Sequence, residues 1–419
     1  MVRNIRQYWV LMHRYVGLSM AVFLVVAGVT GSIITFYRPL DRAINPDLYK
    51  IKPANIEGKA IDPVVLREQL QAKYPTIQIG WVPLQPVDHD AVIYTAEPKI
   101  NLQTGKPYVL GYNQLFVNPY TGNVQGVRTL GDLSEGAKNL IPFIYQLHQE
   151  LALGVVGKYL MGIIAVLWTV DCFVGAYLTF PRKTRNQRES KSLAKQLLTW
   201  IRRWQPAWKV RIKPTNPHKI NFDLHHAGGL WMWAMLLVLA WSSVALNLNR
   251  EVYSPVMNLF FEMQDARSKM PKLSQPNNNP QLSYADARTI ALHYLNTPNP
   301  HKLTQIEPLG MSYIPQVGLY HYRFVSNQDI HSSRGNTRMY IDANTGEVMN
   351  IYIPVGKASG DTVTTWIRAL HMADLWGLPF KVFVSLMGVV VVMLSVTGVY
   401  LWWKKRKARL KYSSKVLAN

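Results

Sequence analysis

The chain holds one cysteine, Cys172, which excludes an intrachain disulfide framework and any cysteine-based zinc or iron–sulfur site. It contains no G-x-G-x-x-G stretch, the phosphate-cradling turn of dinucleotide-binding folds, so no flavin or NAD site is expected in it. Acids are few as well: 24 Asp and Glu stand against 46 Lys and Arg, a net charge of +22. An excess of that size suits nucleic acid or an anionic membrane surface, and its placement decides between them.

Hydrophobic residues make up 48% of the chain while mean hydropathy is near zero, so the apolar residues are gathered in blocks. Four runs have the length of about 20 residues that a bilayer requires: Trp9–Tyr37, Tyr159–Phe180, Ala227–Leu248 and Val382–Trp403. The first is too long for a cleaved signal and lacks a small-residue cleavage site. Pro181–Asn221 carries twelve Lys and Arg and one acid, Glu189; the tail beyond Trp403 carries seven and no acid; Arg3 and Arg6 precede the first run. These segments hold all but two units of the net charge. In a four-span topology they share one side, which the positive-inside rule makes the cytoplasm. The expectation is a multi-pass protein of the bacterial inner (cytoplasmic) membrane with both termini cytoplasmic. Its charge then rests on the anionic leaflet of the lipid bilayer, and no nucleic acid partner is expected.

The chain repeats itself. "LHQELALGVVGKYL" from Leu147 and "LHMADLWGLPFKVF" from Leu370 align at an offset of 223, which pairs His148 with His371, Gly154 with Gly377 and Lys158 with Lys381. "HRYVGL" from His13 and "HHAGGL" from His225 align at 212. "FVNPYTGNV" and "YIDANTGEV" align at 224, and their Thr-Gly cores read as hairpin turns. The expected fold class is membrane α-helical: four transmembrane helices in a pseudo-two-fold tandem repeat, with two α+β periplasmic ectodomains. The transmembrane helices fall at 1–37, 148–180, 222–248 and 371–403 and the ectodomains at 38–147 and 249–370. The basic cytoplasmic loop is 181–221 and the basic tail 404–419.

The repeat places His13 and His225 at the cytoplasmic ends of their spans and His148 and His371 at the periplasmic ends of theirs. A lone histidine there is an ordinary interfacial residue. Four at two matched depths supply what haem iron needs, an imidazole on each face of the macrocycle. Gly17 and Gly229 lie one turn from His13 and His225 on the same helix face, where a flat porphyrin needs room. Arg14 beside His13 and Arg368 one turn before His371 suit haem propionates, as do Lys158 and Lys381. Asp171 is the one acid inside a span; ionisable groups at that depth are usually functional, and it is placed either to accept a ligand histidine's second N–H or to pack as a hydrogen-bonded residue. His226 has no repeat partner and reads as a supporting or interfacial neighbour of the site. His89, His293, His301, His321 and His331 show no matched pattern.

Together "LMHRYVGL", "FDLHHAGGL", the two "LH" segments and the two Thr-Gly motifs resemble the PepSY-associated transmembrane family over nearly the whole chain. That resemblance implies PepSY-like ectodomains and a ferric-siderophore reductase of the ferrioxamine-reductase type. It implies two b-type haems per chain, with His13, His225, His148 and His371 as metal ligands and His148 and His371 at the catalytic end. It also implies a ferric siderophore bound on the periplasmic side. Because the chain lacks a flavin or NAD fingerprint, a separate cytoplasmic electron donor, a reduced flavin or a flavoprotein, is expected. Two other readings stay open: a non-catalytic anchor whose ectodomains bind or inhibit a periplasmic protein or protease, and a haem electron-transfer subunit with quinol or thiol partners.

Overall fold

A computed structural model of the chain describes residues 5–52, 58–101, 103–182, 193–211, 217–264, 270, 273–298, 301–331 and 335–417; part of the basic loop read at 181–221 lies outside the described residues. In chain order the main helices are α1 (Ile5–Ile34), α2 (Tyr37–Ile44), α3 (Pro63–Lys73), α4 (Leu140–Glu150), α5 (Gly154–Thr179) and α6 (Leu193–Trp204). They continue as α7 (Pro217–Trp231), α8 (Trp233–Asn247), α9 (Tyr284–Asn296), α10 (Ser359–His371) and α11 (Gly377–Leu417). Among the described residues α1, α5 and the Gly377–Leu410 part of α11 are each long and apolar enough to cross a membrane.

The third apolar run is the one expected as a transmembrane helix at 222–248. It is the pair α7 and α8, which reach that length only together and meet at 70° about Met232. The sequence "GGLWMW" explains the break. Two adjacent glycines weaken the helix, and the flanking indoles are tied to different neighbours: Trp231 Nε1 donates to the Trp208 carbonyl at 3.0 Å and Trp233 Nε1 to the Cys172 carbonyl at 2.9 Å.

Small residues set how the membrane helices meet. A Cβ at Gly28 on α1 would lie 2.6 Å from the Gly388 carbonyl oxygen on α11. Beside this seam Ser32 Oγ donates to the Ser385 carbonyl at 2.7 Å, and Ser385 Oγ donates back to the Ser32 carbonyl at 3.1 Å. Close backbone approach and hydroxyl bonds of this kind drive helix association where lipid offers no hydrophobic force. At the matching offsets stand Ala240 on α8 and Ala165 on α5, both buried.

Outside the membrane helices, among the described residues, lie nine strands. β1 (Ile77–Ile79), β3 (Val92–Pro98), β4 (Gln114–Val117) and β5 (Val124–Arg128) make one antiparallel sheet; β2 (Trp81–Pro83), β6 (Glu307–Ile314), β7 (Leu319–Val325), β8 (Thr337–Asp342) and β9 (Val348–Tyr352) make the other. The Thr-Gly motifs are the β4–β5 and β8–β9 turns, where Asn118 and Asp342 accept backbone N–H bonds and Gly122 and Gly346 take φ of 73° and 78°. The two segments expected as separate ectodomains are joined. Strand β2 of the first pairs with β6 of the second, and one apolar core takes residues from both, including Leu66, Leu70, Ala287 and Ala291 of α3 and α9. A three-residue strand carries too little sequence signal to foretell that exchange.

The Gly28–Gly388 seam yields a direct test. Gly388→Leu is expected to cost about 1–3 kcal/mol by overpacking, measured as earlier loss of helical circular dichroism on heating in detergent. Gly111→Ala, where a Cβ would meet nothing within 4 Å, is expected to leave the transition in place.

Candidate functional site: two facing histidine pairs

The structure brings together the rings that the repeat pairs. The His13 and His225 centroids are 6.1 Å apart, and those of His148 and His371 are 6.3 Å apart. All four side chains are half-buried.

Each ring is held through Nδ1 by a neighbouring apolar helix. His148 Nδ1 donates to the Ala27 carbonyl at 3.1 Å and His225 Nδ1 to the Leu394 carbonyl at 3.0 Å. Thr30 Oγ1 lies 3.0 Å from His148 Nδ1, Thr397 Oγ1 lies 3.1 Å from His225 Nδ1, and Ser242 Oγ lies 2.7 Å from His371 Nδ1. These hydroxyls spend their protons on helix carbonyls: Thr30 on Val26, Thr397 on Met393 and Ser242 on Leu239. Each therefore accepts from the imidazole. His13 Nδ1 instead meets Asp171 Oδ1 at 2.8 Å, with Asp171 buried on α5. In every case Nδ1 carries the hydrogen and Nε2 keeps its lone pair, the tautomer a metal ligand needs.

The sequence did not single out Thr30, Ser242 or Thr397. A hydroxyl on an apolar helix ordinarily bonds back to its own carbonyls and carries no distinctive signal. One signal was available: Thr30 and Ser242 stand at the offset of 212 that relates His13 to His225.

Three glycines let the rings lie flat on helix backbone. A Cβ at Gly175 would come 3.5 Å from His13 Cε1, one at Gly398 3.2 Å from His225 Cε1, and one at Gly31 3.0 Å from His148 Cε1. At Gly17 a Cβ would meet nothing within 4 Å, so space is open beside the inner pair. The helices carrying the outer pair are set by strained turns. Leu151 and Ala152 after α4, and Ala373 and Trp376 after α10, all take φ of 51–54°, and Gly154 and Gly377 then start the spans at 59° and 66°. Non-glycine residues held in this region cost of order 1 kcal/mol or more each and cluster at functional places.

These rings fit haem. Two first-row metal–imidazole bonds of about 2.0–2.1 Å, each extended by a ring radius of about 1.1 Å, put facing centroids roughly 6.3 Å apart. Among the described residues no cluster of three or more His, Cys, Asp or Glu side chains is placed to hold a bare metal ion; each pair would offer a bound haem two imidazole nitrogens. His13 and Thr30, which mark the two levels, are both on α1; their spacing in sequence corresponds to a rise of roughly 25 Å at 1.5 Å per residue. Between the levels lies an apolar layer that includes Met20, Leu24, Leu236 and Met387, with Phe23 and Trp168 packed against it.

The other candidates scatter. Arg14 lines a cleft of about 260 Å³ with Trp402, Lys405, Arg406 and Arg409. Arg368 lines a separate cavity beside the second sheet. Lys158 is exposed beside Glu251, and Lys381 is half-buried; neither is brought to a histidine pair by a described contact. His226 turns away from its neighbour. It stacks on Phe222 with centroids 5.3 Å apart and bonds the Ala207 backbone, tying α7 to the short helical turn at Gln205–Trp208.

The family described as the PepSY-associated TM region matches residues 10–405. No curated protein matches the chain.

The tautomers can be read directly. In protein labelled with ¹⁵N-histidine, the four paired rings are expected as Nδ1–H forms, and Ser242→Ala is expected to perturb the signal of His371 alone. Rings that exchange freely between tautomers would contradict the geometry.

Proposed function

We propose, for a chain that belongs to the PepSY-associated TM region family and is a multi-pass membrane protein with several apolar helices, the function of a two-haem inner-membrane reductase. It takes electrons from a cytoplasmic donor and delivers them to a periplasmic ferric siderophore, which then releases Fe(II). The observation that carries this reading is the pair of facing imidazole couples, at 6.1 and 6.3 Å, each ring pinned at Nδ1. Haem b held between His13 and His225, and between His148 and His371, supplies one-electron chemistry at two depths of the bilayer.

The chain's own residues give that chemistry a direction. Asp171 is a carboxylate acceptor for His13, whereas His148, His225 and His371 lean on neutral carbonyl and hydroxyl oxygens. A carboxylate partner makes its imidazole the stronger donor and favours the higher charge on a bound metal. The inner pair is thereby biased to the lower potential and the outer pair to the higher, the order that outward flow requires. The cleft beside Arg14, rimmed by Lys405, Arg406 and Arg409, offers an anionic donor such as a reduced flavin or an acidic flavoprotein a docking point on the cytoplasmic side.

The same reading takes the chain as a four-span tandem repeat with PepSY-like ectodomains. Several matched pairs support it: Thr30 and Ser242 hold the outer rings, and Gly175 and Gly398 sit beneath the inner ones. The bent pair α7–α8 is then one span.

Purified protein is expected to show a Soret band and about two haems per chain. His13→Ala or His225→Ala removes one haem; His148→Ala or His371→Ala removes the other and with it reduction of a ferric chelate. Asp171→Asn raises the midpoint potential of one haem and leaves the second unchanged. A colourless preparation from haem-replete cells would sink the proposal.

A further inference from the structure

A cavity of about 730 Å³ lies between the second sheet and α10. Four arginines line it: Arg250 just beyond α8, Arg323 on β7, Arg338 on β8 and Arg368 on α10. Asp361 is the acid among the described lining residues, and its oxygens already accept from Gln264 N at 2.6 Å and from Tyr352 Oη at 2.9 Å. Arg338 Nε donates to the amide oxygen of Asn336 at 3.1 Å and its guanidinium lies over the Tyr352 ring, partners that carry no negative charge. Burial and the nearby Arg338 charge push the Arg368 pKa down, the mark of cations crowded together.

The first half shows what this layer looks like when closed. Arg128 is fully buried there and meets Asp41 through two bonds, at 3.0 and 2.8 Å, and Gln114 through a third. At the repeat offsets Arg128 becomes Tyr352, Gln114 becomes Arg338, Tyr145 becomes Arg368 and Asp41 becomes Tyr253. Among the described residues the second half thus carries arginines where the first has Gln114 and Tyr145, and a tyrosine where it has Asp41. Partly buried charge of one sign is costly without a counter-charge, and guanidinium forks match carboxylates in a bidentate manner. The space lies in the usual range for a small-molecule site, about 300–1,000 Å³. Arg368 stands one helical turn before His371, so a guest in the cavity lies next to the helix turn that bears an outer ring.

We propose that this cavity binds the ferric substrate and selects an anionic, carboxylate-bearing chelate, of the hydroxycarboxylate type, over a neutral or cationic hydroxamate complex. The assignment rests on the reductase reading for its electron: each Fe(III) takes one electron to become Fe(II), a reduced flavin on the cytoplasmic side gives up two, and no bond to the protein forms or breaks.

The test uses the full chain in detergent and calorimetric titration with gallium(III) citrate, a redox-inert stand-in, and with a gallium trihydroxamate. The citrate complex is expected to bind, to weaken with salt, and to lose about tenfold or more in affinity in Arg338→Ala and Arg323→Ala, with Arg338→Lys intermediate. The trihydroxamate is expected to bind more weakly and without dependence on these arginines. Equal citrate binding in wild type and both alanine variants overturns the proposal, as does tighter binding of the trihydroxamate. So does loss of haem from Arg338→Ala with citrate affinity intact, which would assign the arginines to haem carboxylates. A chain without a Soret band that still binds gallium citrate through these arginines overturns the reductase reading and leaves the cavity assignment standing.

Discussion

The structure turns on one interaction used four times, a hydrogen bond from histidine Nδ1 to an oxygen on an adjacent membrane helix. Such a bond needs the helices close. Closeness comes from residues with little or no side chain: Gly28 against Gly388 along the α1–α11 seam, and Gly31, Gly175 and Gly398 beneath the rings. It also needs α4 and α10 to fold back beside α1 and α8 before the next span starts, which explains the left-handed residues Leu151, Ala152 and Gly154, and Ala373, Trp376 and Gly377. A reversal of helix direction within a few residues has few unstrained solutions, and the four bonds help to hold it. Strain at the turns and satisfaction at the rings are two sides of one arrangement.

The two halves match at many positions of the sequence and differ at two places in the structure. At the inner level Asp171 meets His13, and the matching position in the second half is Leu394, whose backbone carbonyl serves His225 instead. At the outer level the closed Arg128–Asp41 pair of the first half has as its counterpart an arginine-lined space. A strictly symmetric protein would treat its two faces and two halves alike. The carboxylate in the membrane and the different charge pattern outside it set the two halves apart.

Much of this was legible because repetition converts single residues into pairs. One histidine at a helix end says little; His13 with His225, and His148 with His371, point to partners on facing helices. What the sequence concealed has physical reasons. Thr30, Ser242 and Thr397 look like ordinary hydroxyls bonding back along their helices, and only the rings above them reveal their second bond. The bend at Met232 depends on where two indoles find acceptors, which is tertiary information. The exchange of β2 rests on three residues, with the Trp81 ring lying on Gly310 where any side chain would collide. The arginine cavity was not legible because its cations come from stretches far apart in the chain.

That dispersion has a consequence for how the outer level works. Arg250 belongs to the end of the bent pair, Arg323 and Arg338 to the sheet, and Arg368 to α10, so the cavity exists only while the sheet is docked on the membrane helices. Polar contacts make that docking specific: Asp361 ties α10 to Tyr352 of β9, Thr365 Oγ1 donates to the Pro354 carbonyl at 3.0 Å, and His331 meets Asp374 at 2.9 Å. An anion drawn in by all four arginines adds a further tie between the same elements, and lowers the repulsion that otherwise pushes Arg338 and Arg368 apart. Occupancy and docking therefore favour each other. A chelate that satisfies the arginines would also draw the sheet onto the helix that carries His371, so the site is most complete when it is filled.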